Sequence, residues 1–368
     1  MIGRSILQRA SMFTVSQNPR FAIPARFDPQ EIAKQSRRKR KLYLMGGLVV
    51  AVATFQYKFK ECLDVVDNPA GVQDIHTLFF ARIFFGRLRS KLIGMLADRE
   101  VSVGNREMIY STYAKATGVN LDEMRYPIDS YRTIQEFFTR PLKAGIRPLA
   151  TVDPLCIVSP ADSEVIACGD VIPGQDRLPQ VKGTTYSLKG FLGLDPTRTL
   201  AGSGKSRPVL KYIVLYLCPG DYHRFHSPTN FHVTNAKHFS GEVLSVNRLS
   251  LKFLNDVFTV NERVVLGGTW SQGNMWYGAV AAHGVGNIKL SFESKLRTND
   301  IRTVPVYCGG DVRNRAFDEH LNHGDEVGMF KLGSTIVMIF EASTNMEWNV
   351  KEGDKVQVGQ LLLSPRKQ

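Results

Sequence analysis

Three kinds of side chain in this sequence could together break an acyl bond. Ser334 lies in "LGST" (residues 332–335), at the mouth of the β-branched and aromatic run "TIVMIFEA". His223 and His226 stand three apart in "PGDYHRFHSP" (219–228), and Asp162 sits in "SPADS" (159–163). In chain order these are an acid that can orient an imidazole, an imidazole that can remove a proton, and a hydroxyl that can become an alkoxide. Taken alone, Gly-Ser-Thr also reads as a turn, with glycine supplying unusual backbone angles and the hydroxyls satisfying nearby amides. Two histidines without a neighbouring acid or cysteine cluster are too few for a metal, so no metal site is expected.

The elements that must position these groups fall into two textures. From residue 154 onward the chain is a series of short β-rich runs, such as "PVLKYIVLYL", "ERVVLGGTW" and "KVQVGQLLL", separated by Gly, Pro, Asn and Asp. Residues 151–368 therefore read as a mostly antiparallel, sandwich-like catalytic domain. Residues 58–150 have helical spacing, giving an α+β chain. Within them "LFFARIFFGRLRSKLIGML" (78–96) reads as a basic amphipathic helix, either packed on its own domain or lying on an anionic membrane. "HGDEVGMF" and "EGDKVQVGQLL" share a Gly-Asp-x-Val turn entering a strand. The insert "GLDPTRTLAGSGKSRP" (193–208) lacks the spacing of a phosphate-binding loop.

Charge separates the N-terminus from the rest. Of a net charge of +13 over 368 residues, residues 1–41 carry ten Lys/Arg against two Asp/Glu, or +8, leaving +5 for the remainder. That distribution argues against a nucleic-acid face. Arg4, Arg9, Arg20 and Arg26 precede the first acid, Asp28, as in a mitochondrial transit peptide. The basic run 37–41 abuts an uncharged stretch, residues 42–57, whose 16 positions make about 24 Å of helix. With Lys41 and Lys58 snorkelling, a single membrane span is expected, basic end in the matrix and the rest beyond the inner membrane. Five widely spaced cysteines indicate neither zinc nor a disulfide framework.

Six motifs in order, "FFTRPLKAGIRP" (137–148), "SPADS", "VKGTTYSLKGFLG" (181–193), "PGDYHRFHSP", "NERVVL" (261–266) and "LGST", resemble those of phosphatidylserine decarboxylase, in its mitochondrial form. The resemblance implies a proenzyme that cuts itself between Gly333 and Ser334 into a β chain and a short α chain, 334–368. Ser334 would then become a covalent pyruvoyl cofactor. It further implies Asp162, His226 and Ser334 as the relay for the cut, and His223 as proton donor in turnover. The pyruvoyl ketone would form a Schiff base with phosphatidylserine and yield phosphatidylethanolamine and CO₂. The implied location is the mitochondrial inner membrane, with the catalytic domain facing the intermembrane space. Implied partners are the phospholipid and the two chains of one precursor, with no nucleic acid; a homo-oligomer is left open. Two departures stand out: Ser163 where the family often has glycine, and His283, read as structural, where a small or hydroxyl residue is commoner. The same residues also allow a serine hydrolase, though without a GxSxG elbow, or a membrane-anchored β-sandwich module.

Overall fold

The computed structural model describes residues 86–366 except 173, 175, 182–183, 198–207, 248–250, 252–253, 285 and 332. The basic leader (1–41) and the expected span (42–57) lie outside the described residues. Among those described, no helix is long and apolar enough to cross a membrane.

Two helices open the described chain, Arg87–Ala97 and Val103–Thr117, the second closed by Gly118 in the left-handed conformation. A short helix, Ile134–Phe138, follows, its N-terminus capped by the Thr133 hydroxyl accepting the Glu136 N–H. Beyond these the architecture is β. Eight strands form one sheet in the order Arg313–Leu321, Phe231–Phe239, Arg263–Trp270, Gly273–Ala281, Ser334–Ala342, Val209–Leu217, Ser163–Asp170, Lys355–Val356. Every strand pairing is antiparallel. A second sheet, Ile288–Leu290, Glu326–Phe330 and Arg224–His226, shares the main core with it. A third joins Ile157–Val158, Leu361–Pro365 and Met346–Trp348.

Ser334–Ala342 is buried at all nine positions. Ile336, Met338 and Phe340 join the core shared with the second sheet. On the opposite face the Leu188–Leu192 helix closes in: a Cβ on Gly278 would meet the Phe191 ring at 2.4 Å and the Val337 carbonyl at 3.2 Å. Cover on both faces explains why this strand reads as a continuous apolar run without alternation.

The first helix departs from the reading in which its apolar face packs on its own domain. It turns Arg87, Ser90, Gly94 and Ala97 inward and leaves Leu88, Leu92, Met95 and Leu96 exposed. The Arg87 guanidinium explains the inversion, since it donates to the carbonyls of Asp300 and Thr303 and to the Thr303 hydroxyl. The Gly-Asp echo is a repeated turn. Asp325 and Asp354 each accept the backbone N–H three residues earlier, from Asn322 and Lys351. Ser163 starts its strand with an ordinary backbone and donates to the Ala161 carbonyl, so glycine's range is not needed there.

"NERVVL" is a buried polar knot. Asn261 accepts the Leu244 N–H and donates to the Leu244 and Ala281 carbonyls. Glu262 accepts from the backbone N–H groups of Gly241 and Asn299 and pairs with His238. Arg263 donates to the carbonyls of Phe191, Thr259, Asn261 and Gly190 and lies 3.9 Å over the Phe239 ring. Burial lowers its pKa to about 9. Asn261→Ala strands three buried backbone groups at about 1–3 kcal/mol each. The variant should therefore unfold at a clearly lower temperature than the parent, as read by circular dichroism.

Candidate active site

The strand that begins at Ser334 fixes its serine between two neighbours, opposite Leu217 on one side and Ala281 on the other. Its Oγ is buried and has no hydrogen-bond partner among the described residues, and neither has the Thr335 hydroxyl. The preceding residue, Gly333, has φ +59°, and a Cβ there would lie 2.7 Å from the His283 carbonyl oxygen. Only glycine fits both restrictions. The Gly333 carbonyl accepts the Ala282 N–H at 3.2 Å. Ala281, next door, is pinned by its N–H donating to the Glu262 carbonyl and its own carbonyl accepting from Asn261. The knot thus sets the backbone that grips the Gly333–Ser334 peptide.

Directly across from Ser334, the Val209–Leu217 strand leads into the loop that carries both histidines. The Asp221 carboxylate accepts the Cys218 N–H at 2.7 Å, and burial raises its pKa to about 6. Arg140 spans the loop, donating to the Gly220 carbonyl at 2.9 Å. His223 is fully buried, with its ring 4.0 Å from that of Phe138. Its Nδ1–H donates to the Asp221 carbonyl at 2.9 Å, so Nε2 carries the lone pair, and that atom has no partner among the described residues. Burial lowers its pKa to about 3, making it a neutral proton acceptor at ordinary pH.

His226 faces Glu326 in the second sheet. Its Nδ1–H donates to the Gly324 carbonyl at 2.8 Å, and Nε2 accepts the Tyr222 hydroxyl at 3.3 Å. Burial holds its pKa below the usual range, opposed by the Gly324 carbonyl and the charges of Glu326 and Asp162. Asp162 is buried and takes a forked pair of bonds from Arg147, the shorter at 2.6 Å, and the Val358 N–H at 2.9 Å. Arg147 also holds Glu123 at 2.7 Å. The backbone N–H of His226 donates to Pro160, two residues before Asp162. The fold therefore gathers Asp162 and His226 into one neighbourhood. No hydrogen bond joins Asp162 to His226, or either to Ser334, among the described residues. Asp162, Cys218 and Asp221 border a cleft of about 350 Å³ with Glu164 and Lys355.

Sequence reasoning gave no role to Arg140, Arg147, Asp221, Tyr222 or Ala282. All but Ala282 lie inside motifs it had singled out, and the signal was a charged or hydroxyl group flanking the reactive ones. Ala282 acts through its backbone and leaves no such trace.

The family model described as Phosphatidylserine decarboxylase matches residues 134–364. The mitochondrial phosphatidylserine decarboxylase proenzyme 1 of Toxoplasma gondii is 43% identical over 327 residues, covering 88% of this chain and 75% of that protein. The phosphatidylserine decarboxylase proenzyme of Plasmodium falciparum is 38% identical over 324 residues, covering 87% and 88%. The mitochondrial proenzyme of Rattus norvegicus is 36% identical over 298 residues, covering 75% and 71%.

The buried His223 gives a pH prediction. Its folded pKa of about 3 lies below the unfolded value of about 6.5, so the unfolded chain binds the extra proton first as pH falls. This contribution to stability is complete above pH ~6.5 and is lost towards pH ~3, at about 1.4 kcal/mol per pH unit. Denaturant unfolding at a series of pH values should show a shallower acid slope in His223→Asn than in the parent. An unchanged slope would mean that the ring is not buried in its neutral form.

Proposed function

From the premise that the chain belongs to the phosphatidylserine decarboxylase family, which are lyases, we propose that it makes its own cofactor by cutting between Gly333 and Ser334. The observation that carries this reading is the scissile peptide itself. A left-handed glycine has its carbonyl held by the Ala282 N–H, and the next residue offers a buried hydroxyl without a hydrogen bond among the described residues. In the proposed maturation Ser334 Oγ adds to the Gly333 carbonyl carbon and its proton passes to an imidazole. The Ala282 N–H supports the charge that develops on the oxygen. Collapse expels the Ser334 nitrogen, which takes a proton, and leaves an ester. Removal of the Ser334 α-proton then releases the Gly333 carboxylate and leaves dehydroalanine. Tautomerisation to the imine and addition of water release ammonia and a pyruvoyl group.

The pyruvoyl carbonyl would accept the substrate amine and hold the electron pair left when CO₂ departs. The residues present suit that group. Ser334 occupies the sheet interior, and the unpartnered lone pair of His223 is available to exchange a proton. Full burial of Ser334 also weighs against the hydrolase reading, because an external ester cannot reach Oγ in the uncut chain.

The relay we propose is Asp162, His226 and Ser334. His226 already carries its Nδ1 proton and a lone pair at Nε2, as a base requires. To act it must exchange Gly324 and Tyr222 for Asp162 and Ser334. His223 would donate the proton that ends turnover, having first gained one. A second reading rests on its vacant Nε2, which favours His223 as the base of the cut.

The α fragment, 334–368, contains no cysteine, so no disulfide can tie it to the rest. Cross-strand bonds to Val209–Leu217 and Gly273–Ala281 would keep the two chains together. The mitochondrial names of the relatives and the Arg-rich leader support a mitochondrial location, which we extend to a single pass through the inner membrane with the catalytic domain in the intermembrane space. Exposed Leu92 and Met95, beside exposed Arg89 and Lys91, would rest on an anionic lipid surface.

Ser334→Ala and Gly333→Ala should each run as one uncut chain without phosphatidylethanolamine formation on denaturing gels and in a decarboxylase assay. Appearance of the short fragment from Ser334→Ala would assign the cut to another protease. His226→Ala should accumulate precursor, whereas His223→Ala should cut itself and lose about 10²–10⁴ in turnover. The reverse pattern would exchange the two roles. In a chain lacking residues 1–57, Leu92→Asp with Met95→Asp should reduce flotation with phosphatidylserine-containing vesicles while cleavage proceeds.

A further inference from the structure

On the outer edge of the main sheet, with three strands between the outermost strand and that of Ser334, His232, Asp318 and His320 converge. Cross-strand pairing places His320 directly opposite His232. Between Ala316 and Glu319 the register shifts, so that Phe317 and Asp318 together oppose Thr234. Phe317 packs against the core, while Asp318 and His320 are exposed and His232 is half-exposed. The two imidazoles stack at 4.1 Å and 8°. Asp318 Oδ1 lies 2.7 Å from His232 Nε2 and 3.7 Å from His320 Nε2, and one ligand atom from each residue falls within 4.8 Å of the others.

We propose that these three residues form a site for a divalent transition-metal cation of the zinc type. Two imidazole nitrogens and one carboxylate are borderline donors, suited to Zn²⁺ and poorly suited to Mg²⁺ or Ca²⁺. Bonds of about 2.0–2.1 Å in a tetrahedral arrangement put donor atoms about 3.3 Å apart, between the two separations seen here. Binding requires the His232 Nε2 proton to leave and the two rings, stacked at 8°, to splay so that lone pairs lying in the ring planes converge on one ion. The fourth position faces solvent and would hold water. Because the ligands come from Phe231–Phe239 and Arg313–Leu321, the ion would clip the outermost strand to its neighbour in the sheet. An ordinary histidine–aspartate ion pair is the competing account of the same contacts, and it predicts no metal uptake.

The test uses the purified full-length protein, stripped with a chelator and titrated with Zn²⁺ by calorimetry and with Co²⁺ by visible absorption. Expected are one equivalent bound per chain, ligand-field bands of a tetrahedral Co²⁺ site, and a melting temperature that rises with Zn²⁺ in the parent only. His320→Ala should lose the site, and Asp318→Asn should bind at least about tenfold more weakly. Both positions are exposed and remote from the Gly333–Ser334 peptide, so unaltered chain cleavage serves as the control for folding. No uptake by the parent, or equal uptake by parent and His320→Ala, would overturn the site.

Discussion

The Gly333–Ser334 peptide is held from two directions by one short stretch of backbone. Ala282 donates to the Gly333 carbonyl, and the His283 carbonyl occupies the space where any side chain at 333 would go. Residue 333 is thereby forced into a left-handed conformation that other residues adopt only at a cost. The grip is exact only if Ala281 to His283 cannot shift, and the rest of the fold is arranged to prevent that. The interior polar groups of Asn261, Glu262 and Arg263 are matched almost entirely to backbone partners, which makes displacement of any one of them expensive.

A second line of support runs through cations that reach across sequence. Arg140 fastens the loop before His223, Arg224 links the Thr139 carbonyl to Glu326, and Arg147 joins Asp162 to Glu123. Each guanidinium ties the helical N-terminal part of the described chain to the β-rich part, or one loop of the site to another. Their planar forks satisfy several carbonyl or carboxylate oxygens at once, a task a lysine ammonium performs less well. Asp162 is thus held by charge-assisted bonds and the histidines by backbone carbonyls, while the serine itself is held by the sheet.

Much of this was legible before any coordinates. The change of texture near residue 154 announced an antiparallel β architecture, and Asp162 and His226, singled out in the sequence, lie in one neighbourhood of the fold. The repeated Gly-Asp turn was visible as well. Pairings between distant strands were not, which is why the His232, Asp318 and His320 cluster escaped notice: its members are unremarkable until residues 86 positions apart become neighbours. Which face of the first helix turns inward was illegible for a different reason. Periodicity reports that apolar and polar faces exist, and here a buried arginine reversed which of them turns inward. Hydrogen-bond partners of His226 and Asp162 were equally out of reach, because they involve backbone carbonyls and amides that carry no sequence identity.

Ser334 starts a strand buried at every position and bonded on both edges, the fifth of eight in its sheet. A cofactor generated there, as proposed, would have no exit and no replacement. It would draw on no cellular pool, could not be diluted away during purification, and would need no affinity for its protein. The supply of reactive groups would equal the number of chains made, and a group spoiled during turnover would retire its whole molecule. Regulation of such an activity would lie in synthesis, maturation and degradation of the polypeptide, with no role for vitamin status.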